Sequence, residues 1–303
     1  MPAPRSRSMV IACFGETLWD ILPCGIFLGG APLNVAYHLS RQGVRALPLS
    51  AVGRDFLGDE ALRRIAGWGI DVGCIARRAD RPTGTVRATL DAAGIASYRI
   101  ARGVAWDRIA KPRAGRRRHP PAAIVHGTLA LRDAPNRRSL AQLFELWPAA
   151  LRVLDLNLRP PFDCGLPVRR ALERAQFVKL NDEELGRLMG ARPRKPPALE
   201  RAARRFCKAH DLSRLCVTAG AQGAGLLWND RWFWEEGRPT AVRDTVGAGD
   251  AFLATLLAGL LAHGLAPAHA LANACRVGEF VAARDGATPP YTCDARGRPR
   301  DSA

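Results

Sequence analysis

Short β-branched or aliphatic runs alternate with helix-forming stretches along most of this chain, and that alternation narrows the fold more than any other feature. The runs cover residues 10–14, 46–52, 123–126, 152–157, 177–180 and 215–218, each ending near glycine or a polar residue. Residues 32–42, 59–68, 138–146, 182–189 and 199–209 read as the intervening helices. This α/β pattern predicts a mostly parallel sheet covered by helices on both faces. Two segments break the rhythm. Residues 16–28 are apolar and β-like, with Pro23 and Gly25 as turn residues; residues 83–100 contain Asp91-Ala92-Ala93-Gly94, a hairpin signal. Both are expected in a small sheet projecting from the main body. The 303 residues show no linker and no internal repeat. One domain over 1–303 is therefore expected, with lid segments near 16–29 and 83–104 and a disordered extension at 1–8.

Composition removes several function classes. The eight cysteines are scattered without any Cys-x-x-Cys pair, which argues against a structural zinc site and a redox motif. They read as small core residues in a reducing compartment. Residues 9–14 are too short for a signal-peptide core, and the best apolar stretch, 251–262, contains Thr255 and Gly259 and stops early. A cytoplasmic protein with no membrane partner is expected. The net charge is +17, yet Arg116-Arg117-Arg118 is the one real basic cluster, and no aromatics accompany it. Nucleic acid is thus not the expected partner. A solvated arginine-rich surface on an enzyme with anionic substrates is.

The sharpest chemical signal is Asp244-Thr245-Val246-Gly247-Ala248-Gly249-Asp250-Ala251-Phe252, followed by a helix-forming run. Gly247, Ala248 and Gly249 let a ligand approach the backbone closely. At a helix start their N–H groups are unpaired and lie at the positive end of the helix dipole, which makes an anion site. A carboxylate beside a bound phosphate is repulsive unless it has a task. For Asp250 that task is to accept a proton from an attacking hydroxyl. The plainer reading is a glycine-rich turn with Asp250 stabilising the helix start. No P-loop is present, and no Gly-x-Gly-x-x-Gly follows the first strand.

Three further segments carry polar groups. In Leu154-Asp155-Leu156-Asn157-Leu158-Arg159-Pro160, period-two alternation puts Asp155, Asn157 and Arg159 on one face at a strand's end, where ligands bind in open α/β sheets. An internal Asp–Arg ion pair is the alternative. Asn181 with Glu184 three residues on forms a capping box in its own right. Residues 217–225, rich in glycine and alanine, follow a strand and suit either a close-lying ligand or a tight turn between strands.

Residues 244–252 resemble the C-terminal signature of the ribokinase-like (PfkB) carbohydrate kinases. Gly29-Gly30-Ala31-Pro32-Leu33-Asn34-Val35-Ala36 resembles their N-terminal signature, and Val52-Gly53-Arg54-Asp55-Phe56-Leu57-Gly58 fits the block after it. The segments occur in the family's order, and the likeness runs from about residue 13 to 289. It implies a three-layer αβα sandwich with a mostly parallel central sheet and a small β-sheet lid, ATP as donor and Mg²⁺ as cofactor. By the same resemblance Asp250 is the catalytic base, and the amides of Gly247, Ala248 and Gly249 hold the transferring phosphate. Asp20, Gly30, Asn34 and Arg159 face the sugar; for Asn34, a helix cap is the plain alternative. Thr218, Gly220, Gly223 and Asn273 fall on the nucleotide side. Asn181 and Glu184 position Mg²⁺, partly through water, and Asp244 is a candidate ligand for a monovalent cation such as K⁺. Leu33 stands where the family block usually has a small residue, so it is expected to reshape the acceptor pocket.

The lid-like segments Pro82-Thr83-Gly84-Thr85-Val86 and Ser97-Tyr98-Arg99-Ile100, with His126-Gly127-Thr128-Leu129-Ala130-Leu131-Arg132, are similar to fructokinase stretches. The resemblance therefore implies phosphorylation of D-fructose to fructose 6-phosphate. 2-Keto-3-deoxygluconate, ribose and a nucleoside are the alternative acceptors, and a homodimer is left open. The reading from another class is a non-catalytic nucleic-acid binder on a degenerate kinase fold.

Overall fold

The computed structural model describes residues 9–22, 25–90, 96–112, 120–193, 195–294 and 297–301. The expected extension at 1–8, Pro23, the hairpin signal at 91–94 and the cluster at 116–118 lie outside the described residues. Strands β1 (Val10–Phe14), β4 (Arg45–Gly53), β5 (Ile75–Arg78), β8 (Ala123–His126), β9 (Leu151–Asp155), β10 (Phe177–Asn181), β11 (Arg214–Thr218), β12 (Gly223–Trp228) and β13 (Arg231–Glu236) form one sheet. Its order is β13-β12-β11-β10-β9-β8-β1-β4-β5. Every pairing from β11 to β5 is parallel; β12 runs antiparallel to both its neighbours.

All five residues of β1 are buried, because the sheet is covered on both faces. Val10, Ala12 and Phe14 join one core with side chains of α3 (Ala134–Leu146), α4 (Leu166–Arg174), α5 (Asp182–Met189) and α6 (Pro196–His210). Ile11 and Cys13 turn to the opposite core, built with α1 (Ala31–Arg41), α7 (Ala248–Leu257) and α8 (Pro267–Ala282). The period of two along one strand thus divides the protein into three layers. Helix α7 is apolar on every side apart from Asp250 and Thr255, which suits a helix buried all round.

A second sheet has the order β3-β2-β6-β7, from β2 (Leu18–Leu22), β3 (Gly25–Gly29), β6 (Gly84–Leu90) and β7 (Ala96–Ile100). These are the two segments that broke the sequence rhythm. Its anchorage is polar and local. Asp55 caps α2 (Phe56–Gly67) by accepting from Gly58 N at 2.8 Å, and also accepts from Thr83 N at 2.7 Å and Thr83 Oγ1 at 2.6 Å. The Val52–Gly58 block therefore ties the end of β4 to the start of β6.

Two expectations fail on local geometry. The strand at 152–157 ends at Asp155, and Asn157 sits at φ +38°, so Asp155, Asn157 and Arg159 do not share one strand face. Leu33 is 2% exposed and packs with Trp19, Leu28 and Tyr37, so its bulk fills a core beside α1 rather than the acceptor pocket. Five cysteines are buried as expected, but Cys164 is exposed.

Asn136, fully buried in α3, fastens the segment after the small sheet to the body. It accepts from Ile109 N at 2.8 Å and donates to Trp106 O at 2.7 Å and Ala130 O at 2.8 Å. An Asn136→Ala variant strands one buried N–H and two carbonyls. It should lose about 3 kcal/mol of stability, read as a lower denaturant midpoint at unchanged slope by circular dichroism.

Candidate active site

Sequence connectivity puts β4 on one side of β1 and β8 on the other, so the strand order turns around at β1. Ligands in open α/β sheets bind at the carboxyl ends of strands beside such a point. Asp155 ends β9, Asn181 ends β10 and Thr218 ends β11, with Asn181 and Thr218 opposite each other in register. The start of α7 carries the fourth part of the site.

Gly247 is the N-cap of α7, at φ +77°. A Cβ there would lie 2.6–2.7 Å from Ala287, so glycine answers both the left-handed backbone and close packing. The Ala248 N–H bonds Thr245 O at 3.3 Å. Among the described residues, those of Gly247, Gly249 and Asp250 have no protein acceptor. The amides left free at this helix start are therefore those of Gly247, Gly249 and Asp250, where the sequence pointed to Gly247, Ala248 and Gly249. Gly247 to Gly249 are half-buried, so the helix start is not plugged.

Asp250, at the third helical position, is 7% exposed. Asn34 Nδ2 on α1 donates to its Oδ2 at 2.8 Å. Burial, then the nearby Asp155 charge, push its pKa up to about 7, while Lys179, Asn34 and Arg159 pull the other way. Lys179 went unremarked in the sequence as a site residue. It lies opposite Asp155 in register and donates to it at 3.0 and 3.3 Å, both side chains being buried. A Cβ on Gly249 would come within 3.0 Å of Lys179 Nζ. This ammonium therefore stands at the turn that starts α7. Burial opposes its charge, but Asp155, Asp250 and Glu184 outweigh that and raise its pKa. A lysine inside the buried run Phe-Val-Lys-Leu was the available signal.

The acceptor side gathers oxygens. Asp20 on β2 is drawn up to a pKa of about 6 by burial, against the pull of Arg159. A Cβ on Gly29 would lie 2.9 Å from Asp20 Oδ2 and 4.0 Å from Asn34 Oδ1, so that glycine, rather than Gly30, keeps the space between them open. Gly30 has φ +119°, and a Cβ there would strike Glu16 O at 2.4 Å; its role is backbone geometry. Asn34 caps nothing: Gly30 is the N-cap of α1. Glu16 is 4% exposed and accepts from Ala31 N at 3.2 Å through Oε1, and burial raises its pKa. Glu16 Oε2, Thr17 Oγ1 and Asn34 Oδ1 are buried without a protein partner among the described residues. Arg159 makes no ion pair among the described residues, since Asp155 is taken by Lys179, yet Glu16, Asp20 and Asp250 all feel its charge.

The remaining candidates divide. Asn181 and Glu184 form the capping box, with Asn181 Oδ1 accepting from Glu184 N at 2.7 Å and Glu184 Oε2 accepting from Asn181 N at 2.9 Å. Glu184 Oε1 also accepts from Leu158 N at 2.7 Å, and burial raises this carboxyl's pKa. Asp244 bridges two loops by accepting from Val246 N and Gly286 N. Thr218 and Gly220 lie at the end of β11 and in the turn after it, where a Cβ on Gly220 would meet nothing within 4 Å. Gly223 is held by the hairpin: its Cβ would sit 2.0 Å from Glu235 O. Asn273 stands beside Gly297 near the C-terminal strand pair, while Arg276 and Glu279 occupy the side of α8 turned to β13.

Comparison with known proteins identifies the family and the fold. The chain is 31% identical over 284 residues to a fructokinase of Klebsiella pneumoniae, covering 86% of this chain and 90% of that one. It is 28% identical to a 2-dehydro-3-deoxygluconokinase of Thermoproteus tenax, over 77% and 74% of the two chains. The structure of a fructokinase with bound ATP from Xylella fastidiosa superposes with a TM-score of 0.79 at 24% identity, over 93% of this chain and 94% of that one. Residues 25–293 match the pfkB family carbohydrate kinase pattern. This chain belongs to the pfkB family and is a carbohydrate kinase with the ribokinase-like fold.

Proposed function

We propose that this protein transfers the terminal phosphoryl group of ATP to a primary hydroxyl of a ketohexose, D-fructose, yielding fructose 6-phosphate and ADP. The observation that carries the reading is Asp250: a buried carboxylate with its pKa near 7, joined to free helix-start amides. The acceptor hydroxyl attacks phosphorus, the bond to the bridging oxygen breaks, and the hydroxyl proton passes to Asp250. The amides of Gly247, Gly249 and Asp250, with the Lys179 ammonium, face the charge that builds on the transferring group. Asn34 orients the base through its 2.8 Å bond.

Magnesium bound with the nucleotide would neutralise phosphate charge. The hard oxygens of Asn181 and Glu184 fit a cation held mainly by phosphate and water, and are the residues that would hold it. Each carboxylate oxygen of Asp244 accepts one backbone N–H, so K⁺ at that position is a separate proposal.

Fructose is favoured by the orphaned acceptors Glu16 Oε2 and Asn34 Oδ1, which suit the donating hydroxyls of a neutral polyol. One observation favours an acidic acceptor of the 2-keto-3-deoxygluconate kind: Arg159 has no carboxylate partner among the described residues. An ADP-release assay across a sugar panel separates the two. Turnover should be greatest with fructose, and Arg159→Gln should change fructose KM less than about tenfold. Preference for the acid sugar, with a larger loss in that variant, supports the second reading. Salt-sensitive DNA binding without ADP release rejects both.

Asp250→Ala should lower kcat by about 10²–10⁴-fold without altering the circular dichroism spectrum. Near-wild-type turnover in that variant would remove the base assignment.

The base works only when ionised, so kcat/KM should be level above pH about 7 and fall about tenfold per unit below it. Asp155 raises the Asp250 pKa, so Asp155→Asn should move that limb to lower pH. Steady-state profiles at low fructose concentration read the shift.

A further inference from the structure

A cavity of about 310 Å³ opens between α3 and α4, on the sheet face opposite α1 and α7. None of the candidate active-site residues lines it. Its volume is at the lower end of the range for small-molecule sites. The floor is apolar, with Leu131, Leu140 and Phe144. The rim carries four guanidinium groups, Arg137 and Arg138 from α3 and Arg170 and Arg174 from α4, and no acidic residue lines the cavity. Among the described residues none of the four pairs with a carboxylate. Some surface arginines do pair, such as Arg63 and Arg64 on Glu60 or Arg204 on Glu200; what sets this place apart is that four unpaired ones gather around one cavity. Arg137 is fixed in place by donating to Leu131 O at 2.7 Å and Arg132 O at 3.1 Å.

His126 is the second, independent feature. It ends β8, is 1% exposed, and forms part of the cavity wall. Its Nδ1 lies 3.2 Å from the carbonyl of Gly127, which can only accept, so Nδ1 carries the proton. Nε2 is then an acceptor, and it is buried without a partner. A buried acceptor left unpaired is costly, and such groups are normally satisfied. Burial keeps the ring neutral by lowering its pKa to about 4.

We propose that this cavity is a second ligand site, for a small organic oxyanion with an apolar body and a hydroxyl donor. The rim guanidiniums take the oxyanion, as their planar forks suit carboxylate and phosphate oxygens. The floor takes the body, and Nε2 of His126 accepts from the hydroxyl. Inorganic ions lack the body, and neutral phenols lack the charge.

Isothermal titration of the full chain at fixed ionic strength tests this with 3-hydroxybenzoate and 3-hydroxyphenyl phosphate, which separate a carboxylate from a phosphate source. 3-Hydroxybenzyl alcohol and inorganic phosphate are the controls. At least one charged probe should bind with Kd below about 1 mM, and both controls at least about tenfold more weakly. The double variant Arg170→Ala/Arg174→Ala and the single variant His126→Phe should each weaken the bound probe about tenfold or more. Arg170 and Arg174 are exposed, and that double variant should keep its sugar-kinase turnover, which shows it is folded. Weaker binding of both charged probes, equal binding of either control, or a Kd unmoved in the rim variant overturns the proposal. Loss of kinase turnover with binding intact would bear on the active site alone.

Discussion

The structure depends on how a carboxylate is held at the start of a buried, apolar helix. A helix dipole favours a negative charge in its first turn by about 0.3–1 kcal/mol. The rise of Asp250 from 3.8 to about 7 corresponds to roughly 4 kcal/mol in the opposite sense. Burial with the Asp155 charge therefore overrides the dipole. The result is a group that is ionised only in part near neutrality, the condition under which a base accepts a proton in one step and gives it up in a later one. A solvent-exposed aspartate at the same helical position would be a cap and nothing more.

Parallel strand register supplies the counterweight. Lys179 and Asp155 are neighbours across β10 and β9, and their pair lies against Gly249. The two act on Asp250 in opposite directions, Asp155 raising its pKa and Lys179 lowering it. A buried ion pair of this kind adds little net stability, because desolvation offsets the attraction. Its value is positional. Asp155 holds the ammonium beside the free amides at the start of α7, and the lysine neutralises what would otherwise be two close carboxylates.

The candidate site was legible in the sequence because its parts are local. Small residues, a helix start and one acid follow each other within residues 247–250, and the box of Asn181 and Glu184 is three residues apart. The small sheet was legible from its break in rhythm. Lys179 was not, because its role arises from strand register and from a glycine seventy positions away in the chain. Asn157 departed from strand alternation through a left-handed backbone that no periodicity rule anticipates. Leu33 departs because sequence alone does not show which side of α1 faces the core. Gly29 and Gly30 exchanged roles because only coordinates show which missing Cβ would meet Glu16 and which would meet Asp20.

The oxygens proposed to meet the acceptor come from three places in the fold. Asp20 belongs to the small sheet, Asn34 to a helix of the main body, and Glu16 to the segment between β1 and β2. Gly29 and Gly30 are the covalent junction between β3 and α1, so the Asp20–Asn34 spacing depends on how the small sheet sits on the body. Asn34 also holds Asp250. A polyol that bonds Asp20 and Asn34 together thus links the position of the small sheet to the orientation of the base. In the proposed reaction, acceptor recognition and assembly of the reacting groups then share one hydrogen-bond chain, a physical means of favouring an alcohol of the right shape over water.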